Sequence, residues 1–394
     1  MNLFSVLAVS EPSSVWATLI EWVHSWVGGG YGWTILVLIV LLKLVMSPLD
    51  YLIKHSNKKS TLMQQKLSPE VAKLRKKFGD NQQMIQTQTQ ALYKREGYNV
   101  FGSCIIMLVN FVLTMVIFFT LFSSLRTLSS YQAIQQYDSL NNSYIASVSQ
   151  SYGSIEEYNT IAAIVANPEQ GTAALTEEQL TKWNAAQEAA QGEVQKTWET
   201  VADNWLWVKN IWVTDGHKSP MPTLDALNEM ATQSKIEEYQ NYVGAIKNDE
   251  TGISTLNYNN IAGMVEAKTG DWNGYYILAI FAVLLSAGSQ FLTEFINKHK
   301  NKKAQNIIDQ ANPQGKSMWF MKLLLPITMA IFVFTTNAAF GIYVVTNSII
   351  STITSLIIGK IISKVFAKRQ AEVDEILLKE AARVAKKEAK GETN

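Results

Sequence analysis

Residues 31–49 read YGWTILVLIVLLKLVMSPL, and this stretch decides the class of fold. As one helix it crosses a hydrocarbon core about 30 Å thick, because a helix rises about 1.5 Å per residue. A single charged residue, Lys43, interrupts it. An apolar run of this length is typical of a transmembrane helix. The sequence therefore predicts a membrane protein.

Three further apolar stretches of spanning length follow, at 101–125, 272–293 and 323–359. The last has 37 residues. As a single helix it would be about 55 Å long, which is too long for one crossing. The small and polar residues TTNAAFG at 335–341 are typical of a tight turn. We therefore predict two spans in that stretch and five in all.

The distribution of Lys and Arg indicates the orientation, because cytoplasmic loops retain an excess of basic residues. Segments 50–98, 294–322 and 360–394 carry net charges of +6, +4 and +3. Segment 124–271 carries −11, and 1–42 has two acidic and no basic residues. We predict an N-terminus outside the cell and a C-terminus in the cytoplasm.

The segment before the first span predicts an amphipathic helix on the outer membrane surface. Apolar residues recur at helical spacing between 12 and 27, and they include Trp16, Trp22 and Trp26, which favour the interface. The glycines at 28–30 predict a hinge. The alternative is a further buried core helix. The apolar run 3–9 is short and lacks a basic n-region, so we expect no cleaved signal peptide.

Segment 52–98 predicts a helical hairpin with a turn at 79–81 (GDN) and a basic face that could hold anionic lipid, meet RNA or simply be solvated. In the external segment, Thr176 opens a predicted helix through 202 and Thr223 another through 243. The aromatic run 204–212 (NWLWVKNIW) is expected at the bilayer surface. Residues 139–170 are expected to be partly loose. The tail, 364–394, predicts a charged helix that frays at Gly391.

The sequence contains few of the residue patterns that are typical of catalytic sites. The four histidines are scattered, no phosphate-binding glycine loop or metal-ligand spacing is present, and no carboxylate lies within the four apolar stretches. The lone cysteine, Cys104, permits no intramolecular disulfide. We predict a protein that is not an enzyme and uses no cofactor and no metal.

Lys43 stands out because it lies well inside the first span. It is about 13 Å from Leu52, farther than a lysine side chain easily reaches towards the interface. A charge at the centre of a span costs at least about 2.5 to 3.5 kcal/mol, and no intramembrane carboxylate is available to pair with it. The favoured arrangement is a water-filled cavity open to the cytoplasm, with the ammonium at its floor.

Polar residues of other spans support such a groove. Asn347 and Ser351 lie one turn apart in the last span, with Ser355 one turn further, and Asn110 and Thr114 lie one turn apart in the second. The alternative is that these residues only join neighbouring helices by hydrogen bonds. A hydrated groove among five spans suits a device that shortens the apolar barrier and receives a polypeptide.

The predicted fold class is an all-α polytopic membrane protein with five transmembrane helices around a cytoplasm-open hydrophilic groove, a cytoplasmic helical hairpin and a large, mostly helical external insertion. The predicted boundaries are an external amphipathic helix at 1–29, spans at 30–53, 99–125, 272–293, 319–336 and 340–362, the hairpin at 54–98, the external domain at 126–271, a cytoplasmic loop at 294–318 and the basic tail at 363–394.

At this level of detail the chain resembles the YidC insertase family, which is related to the insertases of mitochondria and chloroplasts. The first span ends in Pro48 and Leu49 like the family's opening span, and Lys43 stands where many bacterial members have arginine. The hairpin SPEVAKLRKKFGDNQQMIQTQTQALYKREGYN is also similar. In NVFGSCIIMLVN, Asn99 and Cys104 agree with the family's pattern, and Asn110 replaces its groove glutamine.

Two later stretches complete the resemblance. NWLWVKNIWVTD is similar to the family's external Leu-Trp segment, and FTTNAAFGIYVVTN is similar to its last loop and span. In the latter, Asn337 replaces a proline and Val344 a tryptophan, while Tyr343 matches. The departures at Val100, Ser103 and Ile106 lie in the second span or just before it.

The resemblance implies a membrane protein insertase and chaperone of the bacterial plasma membrane. It implies groove residues at Lys43, Asn110, Thr114, Tyr343, Asn347 and Ser351. The implied partners are nascent membrane proteins, the ribosome through the basic tail, the Sec translocon and membrane lipids. Two rival hypotheses remain: a channel or transporter with Lys43 as an anion site, and a membrane-anchored surface receptor whose external domain is the working part.

Overall fold

The computed structural model describes residues 9–79, 81–97, 100–213, 219–297, 327–328 and 330–389. The chain divides into two compact units. The first unit comprises 1–39, 118–283 and 330–346, and the second comprises 40–117, 284–329 and 347–394. Within the described residues the regular elements are helices, and a single bridge joins Trp205 to Val208. The predicted all-α class is confirmed.

The helices are, in chain order, α1 (Val15–Val27), α2 (Tyr31–Phe78), α3 (Gln82–Arg95), α4 (Val100–Tyr152), α5 (Ile155–Ala166), α6 (Glu177–Val201), α7 (Leu224–Ser234), α8 (Glu237–Lys247), α9 (Ile253–Thr269), α10 (Tyr275–Asn297), α11 (Ala338–Val365) and α12 (Ala367–Ala389). A short 3-10 helix, Gly171–Ala174, lies between α5 and α6.

Three of the described helices, α2, α4 and α11, are long and apolar enough to cross a membrane, and Tyr275–Ser289 of α10 is a shorter apolar helix. Their outward residues are apolar, as Leu108, Phe111 and Leu284 illustrate with exposures of 62%, 57% and 61%. A soluble protein rarely exposes apolar surface on this scale, whereas lipid covers it. The chain is therefore a membrane protein. Half of the predicted span 319–336 lies outside the described residues, namely 319–326 and 329.

Two of these helices, α2 and α4, continue past the predicted ends of their spans. α2 runs from the first span into the hairpin without a break, although it contains Pro48 and Pro69. α4 likewise runs from the second span to Tyr152. The sequence at either predicted boundary has no cluster of helix-breaking residues, and an isolated proline can kink a helix without ending it. The change from apolar to polar side chains marks the membrane boundary, and it does not end the helix.

The predicted N-terminal helix and hinge are present in the first unit. Ser14 caps α1 by accepting from the backbone N–H of Ala17 at 3.1 Å, and Gly28 ends the helix with φ of 65°. Trp22 and Trp26 are 58% and 52% exposed, which suits the membrane interface. The indole of Trp16 instead donates to Thr120 Oγ1 of α4 at 2.8 Å.

The segment predicted to be external is a helical assembly with one aromatic core, formed by α5 to α9 and the second half of α4. The expectation that 139–170 is partly loose is wrong, because α4 extends to Tyr152 and α5 occupies most of the remainder. The polar composition misled because Tyr144, Tyr152 and Tyr158 are core residues, at 0%, 4% and 0% exposure. A tyrosine ring packs in a core as an apolar side chain does, and the hydroxyls of Tyr144 and Tyr158 also form a hydrogen bond with each other.

The predicted helix from Thr223 through 243 is in fact two helices. Thr223 caps α7 as expected, accepting from the N–H of Ala226 at 3.3 Å. Lys235 then adopts a left-handed conformation with φ of 60°, and α8 begins at Glu237. The prediction for Thr176 is confirmed, since its side chain and that of Gln179 form a reciprocal cap on α6.

The aromatic run 204–212 is only partly at the surface, so the expectation for it as a whole is wrong. Trp205 and Trp212 are buried at 6% and 0%, while Leu206 and Trp207 are exposed at 60% and 43%. The backbone hydrogen bonds between Trp205 and Val208 make a tight turn that turns these residues to opposite sides. The indole of Trp205 also packs directly against the start of α2, beside Gly32.

In the second unit, the hairpin turns at Gly79, with φ of 53°, between α2 and α3. Its small core contains Leu67, Val71 and Leu92. Leu62, earlier on α2, packs in a separate cluster with Ile358 of α11 and with residues of α12.

The tail helix α12 is docked on α2. Val373, Leu377 and Ala381 bury their side chains in the cluster around Leu62. Lys58 Nζ donates to Gln370 Oε1 at 2.7 Å, and Lys73 pairs with Glu380 at 3.3 Å. Burial lowers the pKa of Lys58, which nearby Asp374 opposes. The predicted fraying at Gly391 lies outside the described residues.

We expect Gly32→Ala to destabilise the first unit. A Cβ at Gly32 would lie 2.7 Å from the Cβ of buried Trp205, so either the helix or the indole must move. Gly29→Ala is the matched control, because its nearest neighbour, Trp33 Cδ1, is at 3.6 Å. Thermal unfolding of the purified protein should show a lower midpoint for the first variant alone. Equal midpoints would contradict the close packing at Gly32.

We expect Leu377→Ala to release α12 from α2. The side chain is fully buried, and such a truncation costs about 2 to 5 kcal/mol. Leu378, its neighbour, is 45% exposed, so Leu378→Ala is the control. Amide hydrogen exchange across 367–389 should accelerate in the first variant and stay near wild type in the second. Similar exchange in both would show that this face does not hold the helix.

Candidate functional site

Lys43 is on α2 in the second unit, where it is half-buried. The next two residues, Leu44 and Val45, are exposed at 62% and 77%, as expected of side chains that face lipid. No hydrogen-bond or ion-pair partner for the Lys43 ammonium lies among the residues that the structure describes. Lys43 thus lies in a long apolar helix, and its role as an unpaired charge in a groove stays a prediction.

Asn347, Ser351 and Ser355 form a polar stripe along α11, and part of this stripe is engaged in hydrogen bonds within the helix. Ser351 Oγ donates to Asn347 Oδ1 at 3.5 Å, so these two predicted groove residues are in contact. Thr352 Oγ1 donates a hydrogen bond to the carbonyl oxygen of Ser348, one turn earlier in the same helix, at 2.7 Å. Hydroxyls that donate back to their own helix keep their lone pairs available as acceptors.

Ser355, the last member of the stripe, contacts a residue that the sequence analysis did not single out. Lys54 Nζ donates to the carbonyl oxygen of Ser355 at 3.0 Å and also contacts its hydroxyl. The spacing of the lysines in the sequence could have identified Lys54 in advance. Lys54 follows Lys43 by eleven residues, close to three helical turns, so the two side chains leave nearly the same face of α2.

Asn110 and Thr114 are one turn apart on α4 in the second unit, half-buried and exposed respectively. Tyr343 belongs to the first unit. Its ring lies 5.7 Å from that of Phe340 and 6.3 Å from that of Phe118, within an aromatic cluster.

The hairpin of α2 and α3 contains a polar cavity of about 360 Å³ between its two arms. Gln65 and Thr89 line it from the two arms, and their side-chain oxygens Oε1 and Oγ1 are buried with no hydrogen-bond partner among the residues that the structure describes. A cavity of this size holds several waters, which normally satisfy such atoms. Ion pairs between Lys66 and Glu96 and between Arg95 and Glu70, at 3.3 Å each, join the arms.

The exposed side of α12 keeps its charge while its apolar side is packed. Its surface cations include Lys368, Arg369, Lys379 and Arg383. Lys379 pairs with Glu375 within the helix at 2.6 Å. The tail therefore presents a mixed but basic surface on the side that the sequence predicts to be cytoplasmic.

Comparison with known proteins gives a consistent result. Residues 22–365 match the family described as 60Kd inner membrane protein. The chain is similar to the membrane protein insertase YidC of Stenotrophomonas maltophilia, with 37% identity over 119 residues, which is 30% of this chain and 19% of that protein. The insertase YidC of Xanthomonas oryzae pv. oryzae is 33% identical over 121 residues, again 30% of this chain and 19% of the other.

A third relative is the insertase YidC of Thioalkalivibrio sulfidiphilus, 28% identical over 108 residues, or 27% of this chain and 18% of that protein. The matched part of the chain thus spans about a fifth of the length of these curated relatives. No solved structure matches the chain.

Proposed function

The chain belongs to the 60Kd inner membrane protein family, the family of the YidC insertases, and on that premise we propose that it inserts other proteins into the membrane. The observation that carries the proposal is the family match across 22–365, which takes in the described helices that are long and apolar enough to span a membrane. Lys43, unpaired among the described residues, gives this function a physical site.

The contact between Lys54 of α2 and Ser355 of α11 supports a groove between these two helices. The two helices run the same way, because Lys54 meets Ser355 while Leu62, further along α2, clusters with Ile362. Eleven residues before Lys54 on α2 is Lys43, and eleven residues before Ser355 on α11 is Val344, which is within one helical turn of Asn347. Lys43 and Asn347 therefore lie at nearly the same level along the two helices. We therefore propose that Lys43 faces the polar stripe of α11 and that water occupies the space between them.

In the proposed mechanism, the groove shortens the apolar barrier from the cytoplasmic side. The polar, often acidic end of a nascent membrane protein enters it, because the ammonium of Lys43 attracts carboxylates and water solvates the backbone. Asn110, Thr114, Tyr343, Asn347 and Ser351 supply hydrogen-bonding groups along the path. The client's apolar helix then leaves sideways into lipid, where its transfer is favourable. No bond is made or broken, so neither enzyme chemistry nor a cofactor is invoked.

The same proposal includes the ribosome, the Sec translocon and membrane lipids as partners. The exposed basic residues of α12 are suited to contact ribosomal RNA, since phosphate contacts depend on such charges. Because the other side of α12 is packed on α2, a ribosome bound there would be held close to the cytoplasmic hairpin.

We expect Lys43→Ala to reduce insertion of clients with an acidic external segment by about tenfold or more, since a charge-assisted contact is worth about 1.5 to 3 kcal/mol. Lys43→Arg keeps the charge and should retain most of the activity. Lys59→Ala, an exposed lysine of the same helix, is the control. Protease protection of a newly made client measures insertion. Normal insertion by a stably expressed Lys43→Ala protein would remove Lys43 from the mechanism.

Site-specific photocrosslinking during translation tests the path itself. Probes at Lys43, Asn110 and Ser351 should each capture the nascent chain of a single-spanning client, whereas a probe at Leu378 on α12 should not. Capture of lipid alone at the three positions would contradict the groove. Ion flux or saturable solute uptake in ribosome-free vesicles would favour the rival channel or transporter.

A further inference from the structure

A cavity of about 170 Å³ lies in the first unit, where the apolar part of α4 passes into the external domain. Residues of α4, α7 and the start of α11 line it, among them Phe122, Arg126, Glu229, Gln233, Asn337 and Phe340. Its volume far exceeds the roughly 10 to 15 Å³ that one water needs. None of these residues belongs to the groove proposed above.

Arg126 is the strongest donor in this cavity. It is half-buried, and its guanidinium stacks over the ring of Phe122 at 4.8 Å. No hydrogen bond or ion pair from that guanidinium reaches another residue in the described part of the chain. The neighbouring hydroxyls are used elsewhere, since Ser130 Oγ donates to the carbonyl of Met230 at 2.7 Å.

Glu229 lines the same cavity and does not pair with Arg126. It accepts from Gln233 Nε2 at 2.8 Å, within α7. Two opposite charges that face one cavity and stay apart leave room for a ligand that carries both charges. The first turn of α11, capped where Asn337 accepts from the N–H of Phe340 at 3.0 Å, adds a helix N-terminus that favours an anion near Arg126.

The apolar surroundings indicate where that ligand comes from. Phe119, one turn before Phe122 on α4, is 53% exposed, and Ile331 and Phe334, just before the turn that lines the cavity, are 61% and 41% exposed. These side chains face lipid in a membrane protein. A molecule with a zwitterionic end in the cavity and an apolar body against these residues is a phospholipid.

We propose that this cavity binds the head group of an amine-bearing zwitterionic phospholipid, with the phosphate on Arg126 and the ammonium on Glu229. The planar guanidinium can donate two parallel hydrogen bonds to one phosphate. The carboxylate then distinguishes a primary ammonium from an uncharged head group such as glycerol. The inference needs only that the chain lies in a bilayer, and it is independent of insertion activity.

The test is native mass spectrometry of the full-length protein in detergent, titrated with phosphatidylethanolamine or with phosphatidylglycerol of the same acyl chains. Wild type should retain the ethanolamine lipid about tenfold better. Arg126→Gln should lose retention of both lipids, and Arg126→Lys should keep part of it. Glu229→Gln should lose only the preference for ethanolamine. Arg369→Gln and Glu188→Gln, exposed charges far along the chain from the cavity, are the controls.

Equal retention of the two lipids by wild type would overturn the proposal, as would unchanged retention by Arg126→Gln. A partial loss in Arg126→Lys, together with an unchanged unfolding midpoint in Arg126→Gln, separates loss of binding from loss of fold. Soluble O-phosphoethanolamine serves as a competitor. If it displaces the lipid at equal concentration, the apolar contacts contribute nothing, and the assignment to a membrane lipid is wrong.

Discussion

The hydrocarbon core offers no water to the backbone, and the rest of the structure depends on this constraint. Each peptide group that crosses must bond within its own segment, which leaves helices as the available form for a chain without a closed sheet. α2, α4 and α11 are helical through their apolar stretches and so meet the constraint, except at Pro48 of α2, which has no N–H to donate. Side chains meet it too: the hydroxyl of Thr352 returns to its own helix, and Ser355 accepts from Lys54.

Lys43 has no hydrogen-bond or ion-pair partner among the residues that the structure describes. Its position costs about 2.5 to 3.5 kcal/mol on insertion scales, a sizeable part of the roughly 5 to 15 kcal/mol by which a folded domain is stable. Lys54, on the same face of α2, shows how a lysine is accommodated when the neighbouring helix supplies oxygen atoms. The contrast supports a functional reason for keeping Lys43, and water in a groove is the economical way to tolerate it.

The helical domain of α5 to α9 and the second half of α4 is stabilised differently, by a packed core that no disulfide reinforces. Its core is aromatic, and most of the buried hydroxyls are satisfied. Tyr158 Oη donates to Asn257 at 2.5 Å and lies 3.0 Å from Tyr144 Oη, while Tyr258 donates to the carbonyl of Pro222 at 2.6 Å. Burial raises the pKa of Tyr258 well above its usual value, so the hydroxyl stays neutral and remains a donor. Exceptions are Tyr137 and Tyr152, whose buried hydroxyls have no hydrogen-bond partner within the described part of the chain.

The sequence by itself determined the features that depend on nearby residues: the apolar stretches of spanning length, the turn at Gly79, the Thr176 cap and the isolated charge of Lys43. Each follows from a spacing of a few residues or from the length of one run. Only the tertiary structure decided that Lys54 meets Ser355, 301 residues away, that α12 packs on Leu62, and that Trp205 and Trp212 are buried while Trp207 is not. Those outcomes depend on which distant surface covers a side chain, and a local pattern contains no information about that surface.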